Sequence, residues 1–332
     1  MNRQKARIAL ILGDPCGIGP ELAVKLLAEP HTTEIADVVI VADREVFQAA
    51  QEIVGRTVSC RLVETADDLD AAFSGVVLLG TPRLDQTDFQ RGQVSKTSGT
   101  YQLDCLATGL QLCQAGVVQG MCFAPLNKEA MHLAGLTYED EAGFFIERLG
   151  HRGDFGLLNT LGDLWTSRAT SHVSHRQVSE LLDQESILTA TRVLDRALKA
   201  SGTVDPKIAV AGLNPHAGDG GMFGTEEIEI IEPAVARAKA EGINVQGPFP
   251  PDTIFLKGRD GVYDAIVTMY HDQGQIAMKL LGFDHGVTVH AGLEFPVTTS
   301  AHGSAFNIAG QGIANVKALR AAFELVSSMA AA

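Results

Sequence analysis

The stretch that decides the fold class spans residues 7–21 and reads RIALILGDPCGIGPE. Residues 8–12 form a short apolar run, and we predict a fully buried β-strand over residues 7–12. The glycines that follow predict a tight turn, and Pro20 suits the first turn of a helix. A buried strand that passes through a glycine-rich turn into a helix is the unit of α/β folds with mainly parallel sheets.

The same alternation of strand, loop and helix continues along the chain. Short apolar runs predict further strands at 37–42, 75–80, 117–124, 155–159, 164–169, 207–213, 264–269 and 287–290. Helices are predicted over 98–116, 185–200, 225–241 and 316–329, and after Arg44 and Asn127. Ser98 and Asn127 are candidate N-caps. We predict two lobes, one of residues 1–130 plus 285–332 and one of residues 131–284.

Composition restricts the class of protein. A chain of 332 residues suits two domains, and its net charge of −14 argues against nucleic acid or an anionic membrane as the main partner. No apolar stretch is long enough for a membrane span, and residues 8–12 are too short for a signal peptide. The five cysteines include no CxxC pair, which is typical of reduced thiols in a cytoplasmic protein. Cys113 and Cys122 are expected in the core, and Cys16 is a candidate for exposure.

Three histidines follow predicted strands. His172 comes after the strand at 164–169, His216 lies in an Asn-Pro-His-Ala-Gly loop, and His271 lies in a Tyr-His-Asp-Gln-Gly motif. Strand ends are where α/β folds place their chemistry. Three imidazoles with carboxylates nearby suit a zinc-like divalent ion with an open coordination position. Each histidine alone also fits a polar surface or core position, and the spacing matches neither HExxH nor a zinc finger.

Further charged residues are candidates for the same chemistry. Asp14 ends the first strand inside the glycine loop, which fits either a phosphate cradle or a plain tight turn. Lys128 falls in a first helical turn, where a cation is disfavoured unless it serves an anionic ligand or a proton transfer. Asp252 and Asp272 fit either a site or a turn. Lys279, seven residues after Asp272, lies on the same face if the segment is helical.

The segment 301–312 consists mainly of small residues and reads AHGSAFNIAGQG. Small side chains let the backbone approach a flat ligand closely, although a crowded turn gives the same composition. The choice between the two depends on the wider pattern of motifs.

Five motifs occur in a characteristic order: GDPCGIGPE at 13–21, APLNKEAM at 124–131, GLNPHAGDGGMFGTEEI at 212–228, MYHDQG at 269–274 and HGSAFNIAG at 302–310. Together they resemble the 4-hydroxythreonine-4-phosphate dehydrogenase family across almost the whole chain. That resemblance implies an α/β fold like that of isocitrate and isopropylmalate dehydrogenases, with two α/β/α lobes and a cleft between them.

The resemblance also implies a metal-dependent reaction in a homodimer with shared active sites. A divalent ion would be held by His172 and His216 of one chain and His271 of the other. Zinc is expected, with manganese, cobalt, nickel and magnesium as alternatives. The implied chemistry is hydride transfer from a secondary alcohol to NAD(P), followed by loss of CO2. Asp252, Asp272 and Lys279 match substrate-site positions of the family, and Lys128 is a candidate for proton transfer.

The last motif resembles the loop that binds the adenosine half of the cofactor. The cofactor-binding positions implied are Gly303, Ser304, Ala305, Asn307 and Gly310. Related enzymes often carry aspartate where this chain has Asn307, and aspartate repels the 2′-phosphate of NADP. We therefore expect NAD as cofactor, with some use of NADP.

The chain departs from the family at the phosphate site. A Gly-His-Thr-Glu motif is replaced by Asp140-Glu141-Ala142-Gly143, an asparagine by Thr288, and an arginine after the final strand by Val297. The lost donors and cation should weaken phosphate binding. We expect a non-phosphorylated small-molecule substrate such as terephthalate cis-dihydrodiol, with Ala142, Phe144 and Val297 lining a less polar pocket. The alternatives are 4-phosphohydroxy-L-threonine and threonate or erythronate 4-phosphate.

Two other classes of function give different sequence signatures. A non-catalytic nucleotide-binding sensor would have lost a metal histidine or Lys279, and the chain retains all of them. A purely structural zinc site is usually closed and rich in cysteine, unlike a set of three histidines. Both signatures favour an enzyme.

Overall fold

The structure is a computed structural model that describes residues 5–69, 73–84, 89–282 and 285–331. It forms two compact units. The first comprises Met1–Arg152 and Leu293–Ala332, and the second comprises Gly153–Gly292.

Strands and helices alternate along the chain. The strands are β1 Ala6–Ile11, β2 Ala36–Val41, β3 Arg61–Val63, β4 Val76–Leu79, β5 Gly120–Phe123, β6 Gly156–Leu161, β7 Leu164–Arg168, β8 Ile208–Ala211, β9 Val245–Phe249, β10 Ala265–Thr268, β11 Val287–Ala291 and β12 Val297–Ser300. The helices are α1 Gly19–Leu27, α2 Pro30–Ile35, α3 Arg44–Val54, α4 Lys96–Gln114, α5 Lys128–Leu133, α6 Glu141–Leu149, α7 His175–Leu181, α8 Gln184–Ala200, α9 Glu232–Ala240, α10 Pro251–Arg259, α11 His271–Leu281 and α12 Lys317–Ala330.

The first unit is built on a parallel sheet. Its strands lie in the order β3-β4-β2-β1-β5-β12, and every neighbouring pair is parallel. The central strand β1 contacts α4 and α12, which cover it with apolar side chains. Ile8 and Leu10 are wholly buried there. Burial on both faces explains why this strand is a continuous apolar run rather than an alternating one.

The second unit carries a mixed sheet in the order β11-β6-β7-β10-β8-β9. Strands β7, β10, β8 and β9 are parallel neighbours, whereas β6 pairs antiparallel with both β7 and β11. Gly162, with a φ of 57°, makes the turn between β6 and β7. Leu164, Ile254, Ile266 and Met278 belong to the core that packs against this sheet.

The predicted α/β class with a mainly parallel sheet is confirmed, with local corrections. Ser95, not Ser98, caps α4, because its side chain accepts a hydrogen bond from the Ser98 N–H. Asn127 caps α5 as predicted, by accepting from Ala130 N–H. The helix predicted over 225–241 begins with a π-helical turn at Glu227–Ile231 before α9 continues it.

Cys16 is wholly buried, which corrects the expectation that its thiol is exposed. Burial, with the charge of Asp14 as a smaller cause, raises the pKa of the Cys16 thiol to about 11. At neutral pH the group is therefore a protonated thiol and a poor nucleophile. Within the described part of the chain, no helix is both long and apolar enough to cross a membrane.

Candidate functional site

The three predicted ligand histidines follow strands that are neighbours in the second unit. His172 comes after β7, His271 begins α11 after β10, and His216 comes after β8. Strand β10 pairs in parallel with both β7 and β8. Because the carboxyl ends of parallel neighbours meet at one edge of a sheet, the three histidine motifs share that edge.

Hydrogen bonds join the loops at this edge. The Thr170 hydroxyl, next to the His172 loop, donates to Met269 O at 2.8 Å. The Gln273 side chain bridges the other two motifs: its Oε1 accepts from Met269 N at 2.7 Å, and its Nε2 donates to Gly212 O at 2.8 Å. Thr170 and Gln273 therefore link the three loops to one another. Neither residue was predicted from the sequence to have this role.

His172 and His271 are brought together, with ring centroids 5.2 Å apart. The His271 Nδ1 lies 2.7 Å from Asp272 Oδ1. An ionised carboxylate only accepts hydrogen bonds, so Nδ1 is the donor in this contact. The hydrogen bond from His271 lowers the pKa of Asp272, as do the nearby charges of His175 and Lys279. A carboxylate that orients an imidazole in this way is typical of metal-binding histidines.

The chemistry of these side chains fits a divalent ion. Among the residues that the structure describes, no group of three or more histidine, cysteine or acidic side chains is close enough within one chain to hold a metal. The set of His172, His216 and His271 therefore stays a prediction.

The loop that carries His216 has an unusual backbone. From His216 to Gly220 every residue has a positive φ, including the non-glycine residues His216, Ala217 and Asp219 at 56°, 55° and 45°. Left-handed conformations cost a non-glycine residue about 1–3 kcal/mol each and persist only where the surroundings impose them. Such strain is concentrated at functional sites, which favours this loop as part of one.

The buried carboxylate of Glu227 holds this loop. Its Oε1 accepts from Leu213 N at 2.7 Å and from Asn214 N at 2.8 Å, and its Oε2 accepts from Asn214 Nδ2 at 2.9 Å. Glu227 is only 2% exposed. A Cβ added at Gly212 or Gly218 would lie within 3 Å of the same carboxylate, so both positions need glycine. From sequence alone, Glu227 reads as one of several acids favouring a helix start.

The remaining polar candidates of the second unit lie near the ends of its strands and helices. Asp252 is exposed in the first turn of α10, which follows β9, the parallel neighbour of β8. Segment 271–281 is helical, which is the condition for Lys279 and Asp272 to lie on one face. Lys279 is exposed in the last turn of this helix. Thr288 lies on β11, where its hydroxyl accepts from Asn159 Nδ2 at 3.1 Å.

In the first unit, the glycine loop is a tight turn rather than a phosphate cradle. The N–H of Cys16 donates to Asp14 Oδ1, that of Gly17 to Asp14 O, and that of Ile18 to Ser304 O. These amides are therefore not available to a phosphate. Asp14 is wholly buried and also accepts from the Ser98 hydroxyl at 2.8 Å. Burial raises its pKa, against the opposing effect of these hydrogen bonds.

The predicted cofactor loop is fixed by the glycine loop and α1. The carboxylate of Glu21 accepts from the backbone N–H groups of Gly310 and Gly312. A Cβ at Gly17 would lie 2.7 Å from Ser304, so only glycine permits this approach. Ala305 has a φ of 46°, and Asn307 is exposed. Of the predicted cofactor positions, Gly303 and Asn307 are exposed and Ser304 is buried.

The segment predicted to meet the substrate begins helix α6. Asp140 caps the helix by accepting from Ala142 N at 3.0 Å, and Glu141 and Ala142 are both buried. Lys128 Nζ lies 3.8 Å from Asp140 Oδ2. Val297, expected just after the final strand, instead begins β12 and is wholly buried. Val297 is therefore a core residue of the sheet. It cannot replace the arginine that the family resemblance implies at this position.

Comparison with known proteins gives one family match. The family model of "Pyridoxal phosphate biosynthetic protein PdxA" matches residues 34–326. A Pseudomonas aeruginosa protein named "Putative 4-hydroxythreonine-4-phosphate dehydrogenase 2" is 48% identical over 327 residues, covering 97% of this chain and 96% of the relative. A D-threonate 4-phosphate dehydrogenase of Pectobacterium atrosepticum is 36% identical over 323 residues, covering 97% and 99%.

Solved structures of similar fold include an enzyme named for the same activity as one of the sequence relatives. The crystal structure of 4-hydroxythreonine-4-phosphate dehydrogenase from Klebsiella pneumoniae superposes with a TM-score of 0.86 at 37% identity, covering 99% of each chain. A terephthalate 1,2-cis-dihydrodiol dehydrogenase from Burkholderia xenovorans superposes less closely, with a TM-score of 0.69 at 30% identity and 98% of each chain covered.

Proposed function

Because the chain belongs to the PdxA family of pyridoxal phosphate biosynthetic proteins, whose members matched above are named dehydrogenases, we propose a specific oxidoreductase reaction for it. The enzyme oxidises a secondary alcohol of a small acid with NAD(P), depends on a divalent metal, and decarboxylates the resulting β-keto acid. The observation that carries the proposal is the shared edge of β7, β10 and β8, which the three histidine motifs follow and where Asp272 contacts His271.

The histidines are the proposed metal ligands. A divalent ion held by His172, His216 and His271 would polarise the alcohol oxygen and then stabilise negative charge during the loss of CO2. Asp272 Oδ1, 2.7 Å from His271 Nδ1, would orient the imidazole with Nε2 toward the ion. Lys279, two helical turns further along α11, offers an ammonium group that pairs with an acid group of the substrate.

The cofactor and the protons are assigned to residues of the first unit. NAD(P) supplies the hydride acceptor, and the loop with Gly303, Ser304, Ala305, Asn307 and Gly310 would hold its adenosine half. Decarboxylation leaves an enolate that must gain a proton, on carbon for an aliphatic hydroxy acid and on oxygen for a dihydrodiol that becomes aromatic, and Lys128 is the proposed donor. The carboxylate of Asp140 lies 3.8 Å from Lys128 Nζ.

The substrate belongs to one of two classes, distinguished by a phosphate group. The names of the sequence relatives favour a phosphorylated hydroxy acid such as D-threonate 4-phosphate or 4-phosphohydroxy-L-threonine. The residues at the start of α6 favour an acid without phosphate, such as terephthalate cis-dihydrodiol. There, Asp140 occupies the Ala142 N–H and Glu141 adds a second carboxylate. Two acids at a helix N-terminus repel an incoming phosphate.

A single assay tests the reaction and separates the two substrate classes. NAD⁺ reduction is followed with D-threonate 4-phosphate, 4-phosphohydroxy-L-threonine and terephthalate cis-dihydrodiol, each with added Zn²⁺, Mn²⁺ or Co²⁺ and with chelator as control. We expect metal-dependent turnover of the diol alone. Turnover of a phosphate ester would show that Glu141 does not exclude phosphate, and turnover that survives chelation would contradict the metal assignment.

Replacing Asn307 by aspartate should increase the preference for NAD. A carboxylate at this position repels the 2′-phosphate of NADP, and we expect the NAD-to-NADP ratio of kcat/KM to rise about tenfold. The matched control is Asn315→Asp, which adds the same charge at an exposed position just outside the loop. An unchanged ratio in Asn307→Asp would contradict the placement of the adenosine ribose at this residue.

A homodimer is proposed as the working form. Large apolar side chains are exposed on the segments around the histidine loops, namely Met222, Phe223, Ile228, Leu256, Ile276 and Leu280. Segment 215–231 contacts α10, and α10 contacts α11, so these side chains lie on neighbouring elements. A second copy of the chain would bury this apolar surface beside the site.

A further inference from the structure

A cluster of polar side chains lies beside the histidine motifs in the second unit. Asn159 on β6 faces Thr288 on β11, because the two residues are direct partners in the antiparallel ladder. Asn159 Nδ2 donates to the Thr288 hydroxyl at 3.1 Å. Thr288 holds the position where the family resemblance implies an asparagine that contacts the substrate. The cluster therefore includes a proposed substrate position.

Arg168 is the cation of this cluster. It ends β7 two residues after Thr166, which pairs with Asn159, so its side chain is on the face that carries Asn159. Its Nη1 donates to Asn159 Oδ1 at 3.0 Å, and its Nε donates to Ser171 Oγ at 3.0 Å. Ser171 directly precedes His172. These two hydrogen bonds fix the plane of the guanidinium between a proposed substrate position and a proposed metal ligand.

Helix α11 closes the same cluster. Gln275 Nε2 donates to Asn159 Oδ1, so the amide oxygen of Asn159 accepts from both Arg168 and Gln275. Residues four apart on a helix share a face. His271, Gln275 and Lys279 are spaced by four, so the network reaches the side of α11 that carries a proposed metal ligand and a proposed substrate-binding lysine.

We propose that Arg168 determines specificity by binding an anionic group of the substrate, either a carboxylate or a phosphate. The inference rests on the proposed function and deepens it. The family resemblance implies an arginine at the position of Val297, and that residue is buried and apolar here. Arg168 supplies a guanidinium from a different strand, fixed in one orientation, and a fixed guanidinium suits bidentate recognition of an acid group.

Binding measurements on the metal-loaded dimer test this role separately from turnover. The probes are terephthalate, benzoate and inorganic phosphate, measured by calorimetry on wild type, Arg168→Gln and Arg168→Lys. A charge-assisted hydrogen bond lost on binding weakens affinity by about 10–100-fold. We expect Arg168→Gln to bind terephthalate more weakly by this factor and to bind benzoate with unchanged affinity. Arg168→Lys should show a smaller loss of affinity for terephthalate. Loss for inorganic phosphate instead would identify the anionic group as a phosphate.

The matched control is Arg196→Gln, which removes an arginine of the same unit that pairs with Asp154 on its own surface. Its affinities should equal those of wild type. No weakening of any probe in Arg168→Gln, or no binding of any probe by wild type, would each overturn the proposal. Equal weakening of terephthalate and benzoate would show that Arg168 binds the carboxylate that the two probes share. If wild type binds terephthalate through Arg168 yet reduces no NAD⁺, the proposed function fails and the Arg168 assignment stands.

Discussion

Replacing His271 by alanine should lower kcat/KM about 10³-fold or more at subsaturating metal. A metal ion contributes several kcal/mol to stabilising charge in the transition state, and each 1.4 kcal/mol is a factor of ten in rate. Loss of one of three ligands should also weaken metal binding, which is measured directly by titration with Zn²⁺. The control is His31→Ala, because His31 is exposed on α2 of the first unit. Full activity in His271→Ala would contradict the metal assignment.

The same variant tests whether the active site is shared between subunits. If His216 of one chain and His271 of the other hold one ion, a heterodimer of His216→Ala and His271→Ala contains one intact site. Random reassociation of the two inactive proteins should then restore about a quarter of wild-type activity, since half of the dimers are mixed and each has one working site of two. No recovery after verified subunit exchange would place all three ligands in one chain.

The fold class was predictable because the signals that encode it are local. After Arg7 in β1 and Asp37 in β2, both strands are apolar runs that are wholly buried. A short apolar run bounded by turn residues is stable mainly as a strand buried on both faces of a sheet. The same holds for β8 and β10, and their order along the chain was enough to predict the strand ends at which His216 and His271 lie.

Elements whose stability depends on distant partners were not predicted. Strand β12 contains Thr298 and Thr299, which read as polar, and their hydroxyls are buried because they donate to Ala322 O and Phe123 O. Strand β9 contains Pro248, which normally argues against a strand, and the pairing of β9 with β8 is irregular there. Neither set of partners is visible in the local sequence.

In the site, too, the features encoded locally were predictable and those that depend on distant residues were not. The positions of the histidine motifs followed from strand ends, whereas the left-handed loop at 216–220 and its anchor did not. Glu227 acts on residues 13 and 14 positions earlier in the chain, and nothing in its own segment distinguishes it from Glu226 or Glu229. What distinguishes it is burial, a property of the folded chain. Its importance is therefore visible only in the folded structure.

Replacing Glu227 by alanine should destabilise the protein by about 3–5 kcal/mol, measured by urea unfolding, because buried donors left without an acceptor cost about 1–3 kcal/mol each. The donors are the N–H groups of Leu213 and Asn214, whereas the Asn214 side-chain amide keeps the Glu226 carboxylate as an acceptor. The loop that they hold is already strained at His216, Ala217 and Asp219. Without its anchor the loop should relax, and the affinity for Zn²⁺ should fall about 10–100-fold, as for other residues that orient metal ligands.

Two further variants separate the role of this carboxylate from general damage. Glu227→Gln keeps an acceptor for the two backbone N–H groups but turns an amide donor toward Asn214 Nδ2, so its loss of stability should be smaller than that of alanine. Glu229→Ala removes an exposed acid two residues away and should change stability by about 0.5 kcal/mol or less. Zinc affinity is compared at urea-free conditions where every variant is folded. If Glu227→Ala bound Zn²⁺ as tightly as Glu229→Ala, Glu227 would stabilise the fold without positioning His216.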